Sequence, residues 1–157
     1  MLLVGTCNPA GEGSTYNGLY YKQEELEGMV ASGLLRNIPV KQEHTGGEVG
    51  RVVSSFIDSE GALQCVMEVD DSTVEGSIAA GFVKDGIAAD LSLGYTVDVQ
   101  NSDDRLRAGH KQILEISLVR RGARRGCHVT AYQETGHAVV YKTDPANAWA
   151  YFDMGDG

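Results

Sequence analysis

"IPVKQEHTGGEVGRV" spans residues 38–52 and reads as two strands and a turn. Ile38 and Val40 are apolar on the near side, Val49 and Val52 on the far side, and Thr45, Gly46 and Gly47 lie between them. A single histidine, His44, stands immediately before those glycines. As an exposed loop residue it would need no explanation. Held at a strand end beside a flexible turn, it could instead reach a partner on another strand, so the rest of the chain decides what His44 is for.

Outward from this stretch the pattern is mainly β. "VGRVVSSFI" and "ALQCVMEV" flank "DSEG" (58–61), with Asp opening and Gly closing the turn, which predicts a hairpin. Further strands are expected in "ADLSLGYTVDV", "QILEISLV", "CHVTAYQ" and "HAVVYKT". Two helices interrupt the pattern. One is expected over residues 23–31, with Leu26, Met29 and Val30 on one face and Gly33 as a stop. The other follows a capping-box candidate, Ser72 with Glu75, and carries Val74, Ile78 and Phe82 at every fourth position until Gly86. These elements predict an α+β fold, mostly β: a small closed or partly open barrel of about six or seven strands with peripheral helices.

The chain has 157 residues, enough for one domain with a real core, and we read residues 1–157 as a single domain. No window approaches a membrane span, and "MLLVGTCNPAGEG" lacks the basic start and long apolar core of a signal peptide, so a soluble intracellular protein is expected. "NPAGEGSTYNG" lacks a phosphate-cradling pattern and reads as loop. The acidic tail over residues 143–157 carries Trp149, Tyr151 and Phe152. It either docks on the body through them or is a remnant of a longer precursor.

Three scattered cysteines, Cys7, Cys65 and Cys127, suggest neither a disulfide framework nor a zinc site, and they read as buried small hydrophobes. No metal or other cofactor is expected: His44 and Glu48 would form half a metal site only on a helix, which Gly46-Gly47 disfavours. A net charge of −9 argues against a nucleic-acid partner. The basic cluster "RRGARRG" (120–126) therefore needs its own account, either as a charged docking patch or as part of a site.

A hydroxyl nucleophile needs a base, and the base needs an orienting group. Polar residues set among apolar strand residues are the candidates: His44, Ser92 in "ADLSLGY", and Glu115 in "QILEISLV". Each has an ordinary alternative. Ser92 could be a hydrogen-bonded strand serine. Glu115 could face solvent together with Ser117, since alternation puts Leu114, Ile116 and Leu118 on the other face. A thiol nucleophile at Cys127 is a weaker option, because adjacent Cys127 and His128 point to opposite strand faces.

The order of these segments resembles the viral capsid maturation proteases, that is, herpesvirus assemblins and the prohead proteases of tailed phages. Pro39, His44, Gly47, Val49, Gly50 and Val52 match the assemblin histidine segment, Ser92-Leu93 its nucleophile strand, and Gly122, Arg124 and Gly126 its Arg-rich turn. Two positions depart from that pattern. Glu115 stands where assemblins carry their third residue, a histidine, although "LEISLV" is similar to the "L-E-x-S-L-V" strand of prohead proteases, and Ala123 replaces the first arginine of the turn.

The resemblance, over roughly residues 16–132, implies a serine endopeptidase with Ser92 as nucleophile, His44 as base and Glu115 as its orienting acid. Oxyanion donors would come from the Ala123 backbone and the Arg124 side chain. It further implies a scaffold protein and the chain's own precursor as substrates, procapsid shell proteins as partners, a homodimer, and a place inside a procapsid. That procapsid would be in the host nucleus for a herpes-like virus, or in the host cytoplasm for a phage-like one. The rival reading is a non-enzymatic capsid- or scaffold-associated β-barrel in which the same strands are structural.

Overall fold

The computed structural model describes residues 1–10, 21–97, 111–122 and 126–142. Among these residues the chain forms β1 (Leu2–Asn8), α1 (Gln23–Ser32), β2 (Pro39–Gln42), β3 (Thr45–Ile57) and β4 (Leu63–Val69). They are followed by α2 (Val74–Lys84), β5 (Asp90–Val97), β6 (Lys111–Val119), β7 (Val129–Gln133) and β8 (Val140–Tyr141). The anticipated tail, residues 143–157, lies outside the described residues. No described helix is long and apolar enough to cross a membrane.

The turn in the opening stretch falls three residues earlier than its glycines suggest. Gln42 pairs with Thr45, so Glu43 and His44 form a two-residue hairpin loop, and both have positive φ (54° and 61°). That is the backbone of a type I′ turn, which normally selects Asn or Gly. Gly46 and Gly47 are already in β3.

All eight strands belong to one sheet, ordered β5-β6-β2-β3-β4-β1-β7-β8, in which only β2 and β6 run parallel. The architecture is mostly β, as expected, but the sheet has eight strands and is not closed into a barrel. An isolated bridge, Asp90 to His128, brings its β5 edge against the start of β7. There the Leu91 N–H donates to the Cys127 carbonyl (2.9 Å) and the Val129 N–H to the Ala89 carbonyl (2.8 Å).

The strand that sequence reading missed is β1. Its run "LLVGTCN" shows no polar alternation because it lies between β4 and β7 and is buried almost throughout. Most of the core lies on one side of the sheet, where Leu3, Leu26, Leu35, Leu63, Met67, Leu91, Ile116 and Leu118 are sealed from solvent. Each contributes roughly 1.5–3 kcal/mol. A small second cluster, Val4, Val66 and Ala131, lies in one cross-strand row.

The "DSEG" hairpin forms as its sequence suggests. The Asp58 carboxylate accepts from the Glu60 and Ala62 N–H groups (2.9 Å each). Helix α1 also matches its expected span and ends at Gly33 in the left-handed conformation. Helix α2 differs in two respects. Its N-cap is Thr73, whose hydroxyl accepts from the Gly76 N–H (3.0 Å), whereas Ser72 hydrogen-bonds Asp70 and, through its hydroxyl and N–H, holds that carboxyl below the usual carboxylate range. Its buried face is Gly76, Ala79, Ala80 and Val83, leaving Val74 (72% exposed) and Ile78 (48%) outward. Small residues let the helix lie close to the sheet, so the larger apolar set faces away.

Cys7 and Cys65 are disulfide-bonded, contrary to expectation. They lie on the neighbouring strands β1 and β4 with Cα atoms 6.2 Å apart, within reach of a disulfide. A separation of 58 residues hid this contact from any spacing argument. Cys127 is buried and its thiol donates to the Cys7 carbonyl (3.1 Å), a setting for packing more than for attack.

Two glycines test this packing. A Cβ at Gly50 would lie 2.9 Å from Val69 Cα and 2.9 Å from the Glu68 carbonyl carbon, whereas one at Gly28, inside α1, would meet nothing within 4 Å. We expect Gly50→Ala to lower stability by ~1–3 kcal/mol through overpacking. Gly28→Ala should raise it by ~0.5–1 kcal/mol through reduced chain entropy. Urea melts of the two variants beside the parent check both signs.

Candidate active site

Three adjacent strands and one turn build the site. In the antiparallel β5–β6 ladder, Ser92 lies opposite Ser117 and Gly94 opposite Glu115. Residues two apart share a strand face, so these four positions form one patch. On the other edge of β6, β2 pairs in parallel, Gln42 beside Leu118, which delivers the Glu43-His44 turn to the same end of the strand.

Hydrogen bonds fix the turn there. The Glu43 N–H donates to the Leu118 carbonyl (3.0 Å), and the His44 N–H to the Ser117 hydroxyl (3.0 Å). From this position the His44 ring bridges two strands. Nδ1 hydrogen-bonds Glu115 Oε1, and Nε2 lies 2.9 Å from Ser92 Oγ. The second carboxylate oxygen, Glu115 Oε2, accepts from the Ser117 hydroxyl at 2.5 Å.

Burial is graded along this chain of groups. The Glu115 side chain is 11% exposed and the His44 side chain 42%. Glu115 therefore does not face solvent with Ser117: both are enclosed, whereas their apolar neighbour Leu114 is exposed. A carboxylate accepting from Nδ1–H leaves Nε2 with its lone pair toward Ser92, which fixes the tautomer needed to take a proton from a hydroxyl.

Gly94 makes the arrangement possible. A Cβ at that position would fall 2.6 Å from the Glu115 carboxyl carbon, so only a residue without a side chain leaves the space the carboxylate occupies. The sequence signal was present, a glycine two residues after the serine, but without the register there was no way to see what it faces.

Of the expected site residues, the structure brings His44, Ser92 and Glu115 together. Ala123 and Arg124 lie outside the described residues. The segments on either side of them are anchored to the same strands. The Arg120 N–H donates to Glu43 (2.8 Å) and the Gly122 N–H to Asp90 (3.0 Å), while the Leu91 bond to Cys127 holds the far end. Sequence reading missed Ser117, Gly94, Glu43 and Asp90. Two of them carried a signal: Gly94 as a glycine two residues after Ser92, and Ser117 by its position on the same strand face as Glu115.

No protein-family model matches this sequence, and no curated protein does. Solved structures do match in fold, viral proteases among them. The chain is similar to the protease of KSHV, Kaposi's sarcoma-associated herpesvirus, bound to a hexapeptide phosphonate inhibitor (TM-score 0.59, 18% identity), matching over 85% of this chain and 65% of that one. It is also similar to the same virus's protease bound to an allosteric inhibitor (TM-score 0.53, 14% identity), over 99% of this chain and 90% of that one. In the first comparison the chain therefore spans just under two thirds of its neighbour's length. The likeness is one of fold and supports the assemblin-like architecture; nothing in the comparisons points separately to prohead proteases.

The role of Gly94 is directly testable. We expect Gly94→Ala to remain folded by circular dichroism while displacing the Glu115 carboxylate, so that the downfield His44 Nδ1–H proton resonance expected of the parent is lost. Retention of that resonance in the variant would mean that the strand pair can absorb a side chain there.

Proposed function

We propose that this chain is a serine endopeptidase of the capsid-maturation type. The observation that carries the reading is the relay Glu115–His44–Ser92, hydrogen-bonded in series from β6 through the β2–β3 turn to β5. The herpesvirus-protease fold supports it.

In this reading Ser92 Oγ attacks the scissile carbonyl carbon while its proton passes to His44 Nε2. Glu115 remains ionised, holds the ring in register and stabilises the imidazolium. His44 then returns the proton to the leaving amine, and an acyl group stays on Ser92. Water, deprotonated by His44, hydrolyses that ester and regenerates the serine. The Ala123 N–H and the Arg124 guanidinium stabilise the oxyanion. The anchoring of Arg120 and Gly122 to Glu43 and Asp90 favours this, since donors must be fixed before charge develops.

The substrate class is a peptide segment of a scaffold protein, together with the chain's own precursor, inside a procapsid whose shell proteins are its neighbours. The working form is a homodimer, and the barrel-like curl at the Asp90–His128 bridge belongs to the same architecture.

The first test is covalent labelling. A fluorophosphonate, or a peptide phosphonate of the kind bound by the KSHV protease, should add one mass to the parent on Ser92 and none to Ser92→Ala. Labelling that survives Ser92→Ala would remove this serine as nucleophile, and absence of labelling in the parent would favour the non-enzymatic barrel. Glu115→Gln keeps shape but removes the charge. We expect turnover to fall by ~10–10³-fold, less than the ~10⁴-fold for the corresponding loss in a serine triad, with little change in melting temperature. Glu115→His should keep part of the activity.

A further inference from the structure

We propose that Ser117 is a positioning residue: one buried hydroxyl that holds the Glu115 carboxylate and the His44 backbone together and so sets the base against the nucleophile. The kinetic part of this inference rests on the peptidase reading; the geometric part does not.

The directions of its hydrogen bonds are determined. A backbone N–H can only donate, so at the His44 N–H (3.0 Å) the Ser117 oxygen accepts. Its one proton is then available for Glu115 Oε2, 2.5 Å away. Ser117 is completely enclosed; its bond to Glu115 is buried and its bond from the His44 N–H partly so.

The backbone of Ser117 is equally constrained. It pairs with Ser92 across β5 and with Lys41 across β2, so it lies in a ladder on both sides. One residue is thereby tied to all three members of the relay: to Ser92 by strand register, to Glu115 by its proton and to His44 by its lone pair. Without the hydroxyl, Glu115 would keep one bonded oxygen and one buried unpaired oxygen. Its terminal torsion, which is intrinsically broad, would then be free to turn. The His44 turn would also lose an anchor while still having positive φ at both residues.

A serine that merely satisfies a core amide predicts something different. Its removal lowers stability but leaves the ring and the rate alone. The experiment compares the full chain with Ser117→Ala and Ser117→Thr. Three readouts are taken: ¹⁵N chemical shifts of the His44 ring, hydrogen exchange of the His44 amide, and the rate of fluorophosphonate attachment to Ser92. We expect Ser117→Ala to lose the single Nδ1–H tautomer, to exchange the His44 amide faster and to label at least about tenfold more slowly, short of the ~10⁴-fold for losing a triad carboxylate. Ser117→Thr, which keeps the hydroxyl, should recover most of this.

A Ser117→Ala protein with the parent's tautomer and labelling rate overturns the proposal, as does a folded Ser117→Thr protein as impaired as the alanine variant. If Ser117→Ala does not fold, Ser117→Cys, close in size with only a weak donor, is held to the same criteria. If the parent itself is never labelled, the peptidase reading falls. The ring and exchange measurements still decide Ser117: an unchanged tautomer and equally slow exchange in the alanine variant count against it.

Discussion

The enclosed carboxylate of Glu115 is the constraint on which the rest of the site depends. An ionised group this little exposed is tolerated only if its oxygens are paired, because unpaired burial of a charge costs several kcal/mol. Each oxygen has its partner, His44 for one and Ser117 for the other. Meeting that requirement dictates much around it. Gly94 must lack a side chain for the carboxylate to fit, β5 and β6 must keep the register that puts Gly94 there, and the turn between β2 and β3 must carry a histidine to exactly one end of β6.

That turn is itself under strain. Non-glycine residues at positive φ are uncommon and cost on the order of 1–3 kcal/mol each, and here two occur in succession. What holds them is β6. Two backbone N–H groups dock the loop there, Glu43 on Leu118 and His44 on Ser117, and just beyond the strand the Arg120 N–H donates to the Glu43 carboxylate. An Asn-Gly loop would form the same hairpin with less strain. A glutamate and a histidine in those positions place a carboxylate against the Arg120 N–H and an imidazole against Ser92.

The sequence made the site more legible than the fold around it. His44, Ser92 and Glu115 stood out because each is a polar residue among apolar strand positions, and in all three cases the polar group has partners across strands. The residues that support them were hidden because their role exists only in the register. Gly94 is a glycine like many others until it is found opposite Glu115, and Ser117 seemed to argue for a solvent-facing strand when the whole face is in fact enclosed. In the fold, β1 escaped notice because a central strand buried on both faces has no alternation to read. The apolar repeat of α2 pointed to the wrong face because the helix packs by its small residues. The Cys7–Cys65 contact depends on β1 pairing with β4, which local pattern cannot reveal.

Glu115, Ser117 and Gly94 are best understood as one physical unit. An acid as the third member of a relay needs more from its surroundings than an imidazole does. It has two oxygens to satisfy and a charge to keep, where a neutral ring has one donor and one acceptor. The assemblins that the sequence resembles carry a histidine there, and for such a ring a hydroxyl two residues along the strand would not be required to hold a second oxygen. In this chain the acid comes with that hydroxyl and with a side-chain-free residue opposite it. The same hydroxyl also accepts from the His44 backbone, so the group that satisfies the acid is the one that seats the imidazole, and the two cannot be altered independently.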